Sequence, residues 1–177
     1  MLAAIGTQLQ GAGADCLLIC TNTMHLVADD VQAAVSVPLI NIIDVTAQAV
    51  AAAGCRRPLV LATRYTMEQD FYVGRMRDRH GLEPLVPDAA GRTLVHDVIF
   101  DELCQGRVEA DSRRAFVELT EQAAAEGADC VIFGCTEVGL LLSPSDVALP
   151  AFDSTILHAR AAIDFALAGG RSASAAA

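Results

Sequence analysis

The stretch GADCLLICTN at residues 13–22 decides the fold, because GADCVIFGCTE at residues 127–137 repeats it. Each copy begins with Gly-Ala-Asp-Cys, continues through a short apolar run and ends in Cys-Thr followed by a polar residue. A short apolar run of this kind is typical of a buried parallel strand. The pattern therefore predicts two equivalent strands, one ending at Cys20 and the other near Cys135.

The repeat extends beyond these two strands. VPLINIIDVTAQAVAAAG at 37–54 parallels LPAFDSTILHARAAIDFAL at 149–167, and both run from a proline through a short strand into an Ala-rich helix. The copies are offset by 114 residues at Asp129 and by 112 residues at Pro150. We therefore expect an α/β fold of two pseudo-symmetric lobes, each with a parallel sheet flanked by helices.

The two expected lobes are unequal. The first spans residues 1–54 and is joined by the last helix, at 154–168, whereas the second spans residues 55–153. A strand, a helix and a further strand at 58–86 precede the second copy, but only one helix precedes the first, so we expect the first lobe to lack its first part. The tail GGRSASAAA at 169–177 is predicted to be disordered.

The segment between the two copies predicts further elements. Residues 57–66 favour a strand and 67–80 a helix, with Thr66 and Gln69 forming a capping box at the start of that helix. A short strand is predicted near 83–86. The hydrophobic pattern then predicts two more helices, at about 91–105 and 111–126.

Composition and charge exclude several classes of function. No apolar run approaches the length of a membrane span, and the first residues lack the basic segment of a signal peptide. A net charge of −10 disfavours nucleic acid or an anionic membrane as the main partner. Six cysteines without a secretion signal are typical of reduced thiols inside a cell. We expect a cytoplasmic protein that binds a small molecule.

The turn after Cys20 has the features of a ligand site. Cys20-Thr21-Asn22-Thr23 leads directly into a predicted helix, whose free N–H groups favour carboxylates and thiolates. Ligands of parallel sheets bind beyond the carboxyl ends of the strands, where Cys20 and Cys135 are expected. The remaining cysteines are expected to pack as small apolar side chains: Cys16, Cys55, Cys104 and Cys130.

A zinc site is the alternative interpretation of the cysteines. Its ligands would be Cys16-x3-Cys20 and Cys130-x4-Cys135, but these pairs lie within predicted strands rather than on the knuckles typical of zinc sites. No phosphate-binding loop of the P-loop or dinucleotide type follows a predicted strand. We therefore expect neither a metal nor a cofactor.

Other polar residues accompany the two cysteines. His25 follows Cys20 by one turn and either lines the site or holds the turn. Thr63 and Thr66 bracket a strand-to-helix turn and would donate hydrogen bonds to a carboxylate, although Thr66 could also be only an N-cap. Arg64 is a candidate for a bidentate carboxylate contact, against the default of a solvated arginine. The other histidines are expected on helix surfaces or at interfaces: His80, His96 and His158.

Three motifs resemble the aspartate/glutamate racemase superfamily: CTNTMH at 20–25, ATRYTMEQDFY at 62–72 and VIFGCTEVGLLL at 131–142. The similarity extends to about residue 168 and is greatest to the aspartate racemases and broad-specificity amino-acid racemases. It implies two pseudo-symmetric α/β lobes with the active site between them. It also implies racemisation without pyridoxal phosphate or another cofactor, often in a homodimer.

The resemblance implies a role for each site residue. Cys20 and Cys135 would be the acid/base pair that acts on the α-proton of an amino acid. Six residues would contact the amino and carboxylate groups of the substrate: Thr21, Asn22, Thr23, Thr63, Thr66 and Thr136. Glu137 follows the second cysteine in the family pattern, and Arg64 is placed to meet an acidic side chain.

This sequence also departs from the family pattern. Members begin with a strand, a Gly-Gly-Met-Ser type loop, a helix and a second strand, and this sequence starts after that segment. The departure implies an incomplete first lobe with an exposed sheet edge and exposed apolar surface, which favour association.

The expected reaction is a 1,1-proton transfer at the α-carbon of an amino acid. One thiolate removes the proton and the opposite thiol delivers another to the other face, because a single base would return the proton to the face that it left. Four alternatives stay open at this point. They are hydantoin racemisation, malonate decarboxylation with one cysteine, amino-acid binding without catalysis, and redox sensing through a Cys20–Cys135 disulfide.

Overall fold

The computed structural model describes residues 1–169, which form two parallel sheets with helices packed against them. The strands are β1 (Leu17–Leu18), β2 (Leu39–Ile40), β3 (Pro58–Leu61), β4 (Cys130–Phe133) and β5 (Ala151–Asp153). β1 pairs with β2, and β4 lies between β3 and β5, all in parallel register. The predicted α/β fold with parallel sheets flanked by helices is confirmed.

Nine α-helices lie within residues 1–169. They are α1 (Leu2–Gly11), α2 (Ala28–Ala33), α3 (Ile42–Ala52), α4 (Arg64–Glu68), α5 (Asp70–His80), α6 (Ala89–Asp97), α7 (Ala110–Ala125), α8 (Val138–Leu141) and α9 (Ser154–Leu167). Short 3₁₀ helices occupy Thr23–Val27, Leu103–Gln105 and Pro144–Asp146, and a π-helical turn occupies Val98–Glu102.

The helix predicted at 67–80 is two helices in the structure. α4 begins earlier, with Thr63 as its N-cap, and the backbone is extended at Gln69 before α5 begins. The predicted capping box is therefore wrong: Thr66 lies inside α4, and its hydroxyl contacts other threonines.

Two further elements predicted between the repeats are less regular in the structure than the sequence indicated. The helix predicted at 91–105 divides into α6, the π-helical turn and a 3₁₀ helix. The strand predicted near 83–86 is reduced to one parallel bridge, between Leu59 and Leu85. The helix α8 was not predicted, because four residues are too few to show a helical period.

The main core surrounds the second sheet. Every residue of β3 and β4 is buried, as expected for central parallel strands. The apolar face of α3 joins this core through Ile43, Ala47 and Val50, each of which is fully buried. A helix that follows β2 in the chain thus packs against the sheet of β3, β4 and β5. The division of the chain into lobes at residue 54 stays a prediction.

The two copies of the repeat cap their helices in the same way. The Asn41 side chain follows β2 and accepts hydrogen bonds from the backbone N–H groups of Ile43 and Asp44. The Asp153 side chain ends β5 and accepts from Thr155 and Ile156. Both caps satisfy N–H groups that a helix start leaves free. The repeated sequence therefore produces repeated local structure.

The part of the chain that the structure describes includes no helix that is long and apolar enough to cross a membrane. The tail predicted to be disordered lies outside the described residues from position 170 onward. Its prediction is therefore not addressed by this structure.

Candidate active site

Three threonine hydroxyls join the turns that follow β1 and β3. Thr23 Oγ1 lies 3.1 Å from Thr63 Oγ1 and 3.2 Å from Thr66 Oγ1, and the last two lie 3.3 Å apart. Thr66 is fully buried and Thr63 nearly so. We call these residues the threonine cluster. Because each hydroxyl can both donate and accept, the three hydroxyls can hydrogen-bond to one another in a ring. Each oxygen then keeps a lone pair that can accept a hydrogen bond from a ligand.

A second link joins the Cys20 turn to β4. Asn22 Nδ2 donates to Ser154 Oγ at 3.1 Å, and Ser154 Oγ donates to the carbonyl oxygen of Phe133 at 2.8 Å. Phe133 ends β4, two residues before Cys135. The turns that carry the two cysteines are therefore connected through buried polar side chains.

Asn22 has one atom left over in this arrangement. Its side chain is only 4% exposed, and Oδ1 is buried with no hydrogen-bond donor among residues 1–169. A buried acceptor without a donor costs about 1–3 kcal/mol, so such an atom needs an explanation. A hydrogen-bond donor of a ligand would supply the missing partner.

Glu137 holds the thiol of Cys135. Cys135 Sγ donates to Glu137 Oε2 at 2.9 Å, and Thr136 Oγ1 donates to the same oxygen at 2.6 Å. Burial, followed by the contact with Glu137, raises the pKa of Cys135 to about 12, although the backbone N–H of Glu137 opposes the change. Cys135 is therefore a neutral thiol at physiological pH and is suited to donate a proton.

The carboxyl group of Glu137 is ionised in this arrangement. Its partial burial acts to raise its pKa, but the hydrogen bonds from Cys135, Thr136 and its own backbone N–H outweigh burial and lower it. A carboxylate that accepts several hydrogen bonds is stabilised in its charged form. Glu137 thus presents a fixed negative charge beside the thiol.

Gly134 allows the Cys135 turn to approach the end of β3. Its N–H donates to the carbonyl oxygen of Leu61 at 2.8 Å. A Cβ atom at this position would lie 3.1 Å from the Cβ of Ala62, closer than most such contacts. The glycine therefore places Cys135 close to the turn that begins at Thr63.

Cys20 lies at the end of β1 and is exposed. With Thr21 it borders a cavity of about 290 Å³ between α1 and β1, whose lining is mainly apolar. The helix expected after this turn begins as the 3₁₀ helix Thr23–Val27 and continues as α2. Solvent and small molecules can therefore reach the Cys20 thiol.

Arg64 is directed toward α6. Its backbone N–H donates to His96 Nδ1 at 3.3 Å, and its Nη2 donates to Thr93 Oγ1 at 3.4 Å. The carboxylate contact expected for Arg64 would require its guanidinium to leave Thr93.

The other cysteines divide into buried and accessible ones. Cys55 and Cys130 are buried as predicted, but Cys104 is exposed and Cys16 is only half-buried, so the prediction is wrong for these two. The π-helical turn before Cys104 adds a residue to one turn and shifts which side chains face the core. For Cys16, the cause is that β1 is short and lies in the smaller sheet.

One group of side chains has the composition of a metal site. Ligand atoms of Cys55, Asp129 and Cys130 lie within 4.8 Å of one another, near the start of β3 and β4 rather than at their ends. The Asp129 carboxylate already accepts backbone hydrogen bonds from Arg56 and Arg57. Burial and the neighbouring groups raise the pKa of Cys130, so its thiol is neutral. Strand pairing and core packing account for these residues.

Three polar residues that sequence reasoning missed help to hold this region. Ser154 links Asn22 to β4 as described, and His96 accepts from the backbone of Arg64. His158 was expected on a helix surface or at an interface; it is 4% exposed, and its Nε2 lies 2.6 Å from the carbonyl oxygen of Ile40. The alignment of Asn41 with Asp153 was the available signal for Ser154. Both aligned residues cap a helix directly after a strand, and Ser154 is the residue that follows the second cap.

The model of the Asp/Glu/hydantoin racemase family matches residues 1–162. The chain belongs to this family. The resemblance seen in the three sequence motifs is thereby confirmed, and membership supports a racemase function.

Solved structures of racemase relatives share this fold. A Yersinia pestis protein described as a candidate Asp/Glu racemase is 44% identical, with a TM-score of 0.90, covering 94% of this chain and 72% of its own. An aspartate racemase homologue from Pyrococcus horikoshii OT3 is 36% identical, with a TM-score of 0.85, covering 93% and 72%. A glutamate racemase from Francisella tularensis, solved with D-glutamate, is 16% identical and shares the fold, with a TM-score of 0.68, covering 97% and 65%.

Proposed function

We propose that this racemase-family protein interconverts the enantiomers of an amino acid of the aspartate/glutamate type, without a cofactor, using Cys20 and Cys135 as its acid/base pair. One observation carries the proposal. Two independent hydrogen-bonded links, the threonine cluster and the Asn22–Ser154–Phe133 chain, join the turn of Cys20 to the ends of β3 and β4. A two-base reaction needs groups on different strands that face one ligand, and such links support that arrangement.

The polar groups of the site fit the head group of an amino acid. Each hydroxyl of the threonine cluster carries one hydrogen, so a hydroxyl would turn away from its threonine neighbour to donate to the α-carboxylate, with Thr21 and Thr136 at the margin of the cluster. Asn22 Oδ1, which is buried without a donor, would accept from the α-ammonium group. Hydrogen bonds to the carboxylate also stabilise the negative charge that develops when the α-proton leaves.

The protonation state of Cys135 indicates which cysteine removes the α-proton and which cysteine delivers one. Because Cys135 is a neutral thiol, it would deliver a proton to the α-carbon in the direction in which the Cys20 thiolate removes one. The C–H bond broken on one face is replaced by a C–H bond formed on the other, and the S–H bond passes from Cys135 to Cys20. In the reverse direction Glu137, already hydrogen-bonded to Sγ, would assist the loss of the Cys135 proton.

An acidic substrate would need a cation for its side chain. Arg64 would supply one if its guanidinium exchanged Thr93 for the carboxylate of the ligand. A guanidinium binds a carboxylate through two parallel hydrogen bonds, which a threonine hydroxyl cannot match. This argument supports aspartate and glutamate as the first substrates to test.

The proposal is tested by chiral chromatography after incubation with L- and D-aspartate, L- and D-glutamate and several neutral amino acids, under reducing conditions and without added cofactor. We expect racemisation of at least one of them, lowered by about 10³-fold in Cys20→Ser and in Cys135→Ser. Cys16→Ser is the matched control and should stay within about threefold of the unchanged protein, because its half-buried thiol precedes β1, at the end of the strand opposite to the Cys20 turn.

Other outcomes identify the alternatives. Calorimetric binding of aspartate without turnover would favour an amino-acid binding protein. Turnover of a substituted hydantoin, with none of any amino acid, would favour the hydantoin branch of the family. Activity that survives both serine substitutions would contradict the two-cysteine mechanism.

We also propose that the protein acts as a cytoplasmic homodimer, as the family resemblance implies. Light scattering coupled to gel filtration tests the assembly, and fractionation of cells that express the protein tests the location. A monomer across the concentrations used in the activity assay would contradict the first part.

A further inference from the structure

His25 connects the Cys20 turn to the start of α3. Its Nδ1 lies 2.8 Å from the carbonyl oxygen of Thr21, and its Nε2 lies 3.1 Å from the backbone nitrogen of Ile42. A backbone N–H only donates, so Nε2 must be the acceptor in the second contact. Nδ1 therefore carries the hydrogen and donates to Thr21. The two contacts fix one neutral tautomer of the ring.

The contact with Ile42 attaches the ring to a rigid element. Ile42 is the first residue of α3, whose start leaves N–H groups free. The Asn41 side chain takes those of Ile43 and Asp44, and His25 takes that of Ile42. Because α3 is packed into the core, one end of the ring is held firmly.

The contact with Thr21 acts on the backbone next to Cys20. The Thr21 carbonyl follows Cys20 by one peptide unit, and β1 itself contributes only two paired residues. The exposed cysteine therefore relies on this turn, rather than on a long strand, for its orientation. Beside the side-chain links of Asn22 and Thr23, His25 ties the Thr21 carbonyl of that turn to the core.

The surroundings of His25 favour the neutral ring. The side chain is 4% exposed, and His158 of α9 packs edge-to-face against it, with the ring centres 5.9 Å apart. Burial, together with His158 and Arg75 of α5, lowers the pKa of His25 to about 4, against smaller opposing contributions from the Thr21 carbonyl and Asp44 of α3. At physiological pH both hydrogen bonds can therefore form.

We propose that His25 is a positioning residue for Cys20: through its hydrogen bonds to Thr21 and Ile42 it orients the Cys20 thiol toward the α-carbon of the substrate, without touching the substrate itself. This inference rests on the proposed function. Small errors in the placement of a catalytic group are costly, so removal of the link should slow the proton transfer of Cys20.

The first test compares His25→Gln and His25→Ala with Thr120→Val. Thr120 is also buried, and its side chain makes one backbone contact, but to Val117 within α7 rather than to the Cys20 turn. We expect the His25 variants to lose about 10- to 100-fold in kcat, with KM changed by less than about threefold. Glutamine should recover part of the rate, since its side-chain amide can replace one of the two contacts.

The isotope pattern separates positioning from general damage. In D₂O at early times, the substrate recovered from the His25 variants should carry deuterium when it is the enantiomer that Cys135 deprotonates, and keep its hydrogen when it is the enantiomer that Cys20 deprotonates. Thr120→Val should behave as the unchanged protein, whose recovered substrate keeps its hydrogen. Recovered substrate that keeps its hydrogen for both enantiomers in a folded His25 variant would overturn the inference.

A second measurement does not depend on activity. Alkylation by iodoacetamide, followed cysteine by cysteine in peptide mass spectra, reports the accessibility and orientation of each thiol. In a Cys104→Ser background, His25→Gln should change the rate at Cys20 by about threefold or more and leave that at Cys135 unchanged. An unchanged Cys20 rate would overturn the inference. If the unchanged protein racemises no substrate, the proposed function fails, and this measurement still decides the role of His25.

Discussion

At the residue scale, the protonation state of Cys135 depends on Glu137. Its carboxylate accepts a hydrogen bond from Cys135 and places a negative charge beside the sulfur. Both effects help to keep that thiol neutral. In Glu137→Gln the charge is removed, so the pKa of Cys135 should fall, while burial still holds it above its ordinary value. The thiolate fraction at a given alkaline pH should therefore rise.

Alkylation of Cys135 as a function of pH measures this change. The midpoint of the rate profile should move to lower pH in Glu137→Gln, and racemisation should slow by about 10-fold or more, because the partner that assists proton loss is gone. Glu126→Gln, at the exposed end of α7, is the control and should change neither. A Cys135 profile that stays in place would contradict the role given to the carboxylate.

The buried His25 should make the free energy of unfolding depend on pH. Its pKa is lowered to about 4 in the folded protein from an ordinary value near 6.5, so the unfolded chain binds more protons between these limits. The free energy of unfolding should therefore rise with pH from about 4 to about 6.5. The contribution of His25 is complete above the upper limit and amounts to roughly 3 kcal/mol.

Urea unfolding at several pH values tests this contribution, with His25→Gln as the comparison. Asp44 and His158 also have lowered pKa values and give the unchanged protein further pH dependence, so the difference between the two proteins is the informative quantity. It should shrink as the pH falls from 6.5 to 4. A difference that is constant over this range would show that His25 does not titrate as described.

Much of the site could be predicted residue by residue, and some could not. The repeat predicted Cys20 and Cys135 at strand ends, because the hydrophobic pattern of a strand depends on residues that are neighbours in the sequence. The roles of Thr66 and His25 stayed open, because an N-cap and a buried hydroxyl have the same sequence signature, and so do a site-lining and a turn-holding histidine. Only the packing of distant elements decides between them.

At the element scale, the helix caps of the two repeats predict a stability effect. Asn41 caps α3, whose apolar face lies in the core. Asn41→Ala should lower the free energy of unfolding by about 1 kcal/mol, because two backbone N–H groups lose their acceptor. Asn41→Ser should recover most of the loss, since serine also caps helices. Chemical denaturation measures both, and equal stability of Asn41→Ala and the unchanged protein would contradict the cap.

The two sheets should differ in their resistance to local opening. β1 and β2 contribute two residues each and are not fully buried, whereas β3 and β4 contribute four residues each and are fully buried. Native-state hydrogen exchange should therefore be faster at Leu17, which donates to Pro38, than at Val131, which donates to Pro150. We expect a ratio of about 100-fold or more. Equal protection would contradict this ordering.

Most elements could be predicted from periodicity, but the breaks could not. The strand β4 and the helices α7 and α9 lie where the pattern placed them, whereas β3 ends at Leu61 and the last residues of the strand predicted at 57–66 belong to α4. The division at Gln69 and the π-helical turn were missed because tertiary contacts of Thr66 and of the core decide them. Residue preferences alone favour an unbroken helix there.

At the scale of the whole molecule, the site depends on contacts between the repeats. α3 follows the first copy and packs against α9, which follows the second, while Asn22 and Thr23 reach the ends of β4 and β3. The α/β class and the repeat could be predicted from sequence. The way in which the first copy is fastened to the second sheet could not, because the aligned caps mark the position of Ser154 but not its hydrogen-bond partner Asn22 in the other copy.

In the proposed mechanism, two thiols act on opposite faces of one α-carbon. The measurement to make is the fate of the α-hydrogen of each enantiomer in D₂O at early times. We expect the product to carry deuterium from the first turnover, and the recovered substrate to keep its hydrogen. Cys20→Ser and Cys135→Ser should each stop interconversion and leave exchange from one enantiomer only, and not the same one. Product that retains the hydrogen of the substrate, or racemisation that survives either substitution, would rule out the two-thiol mechanism.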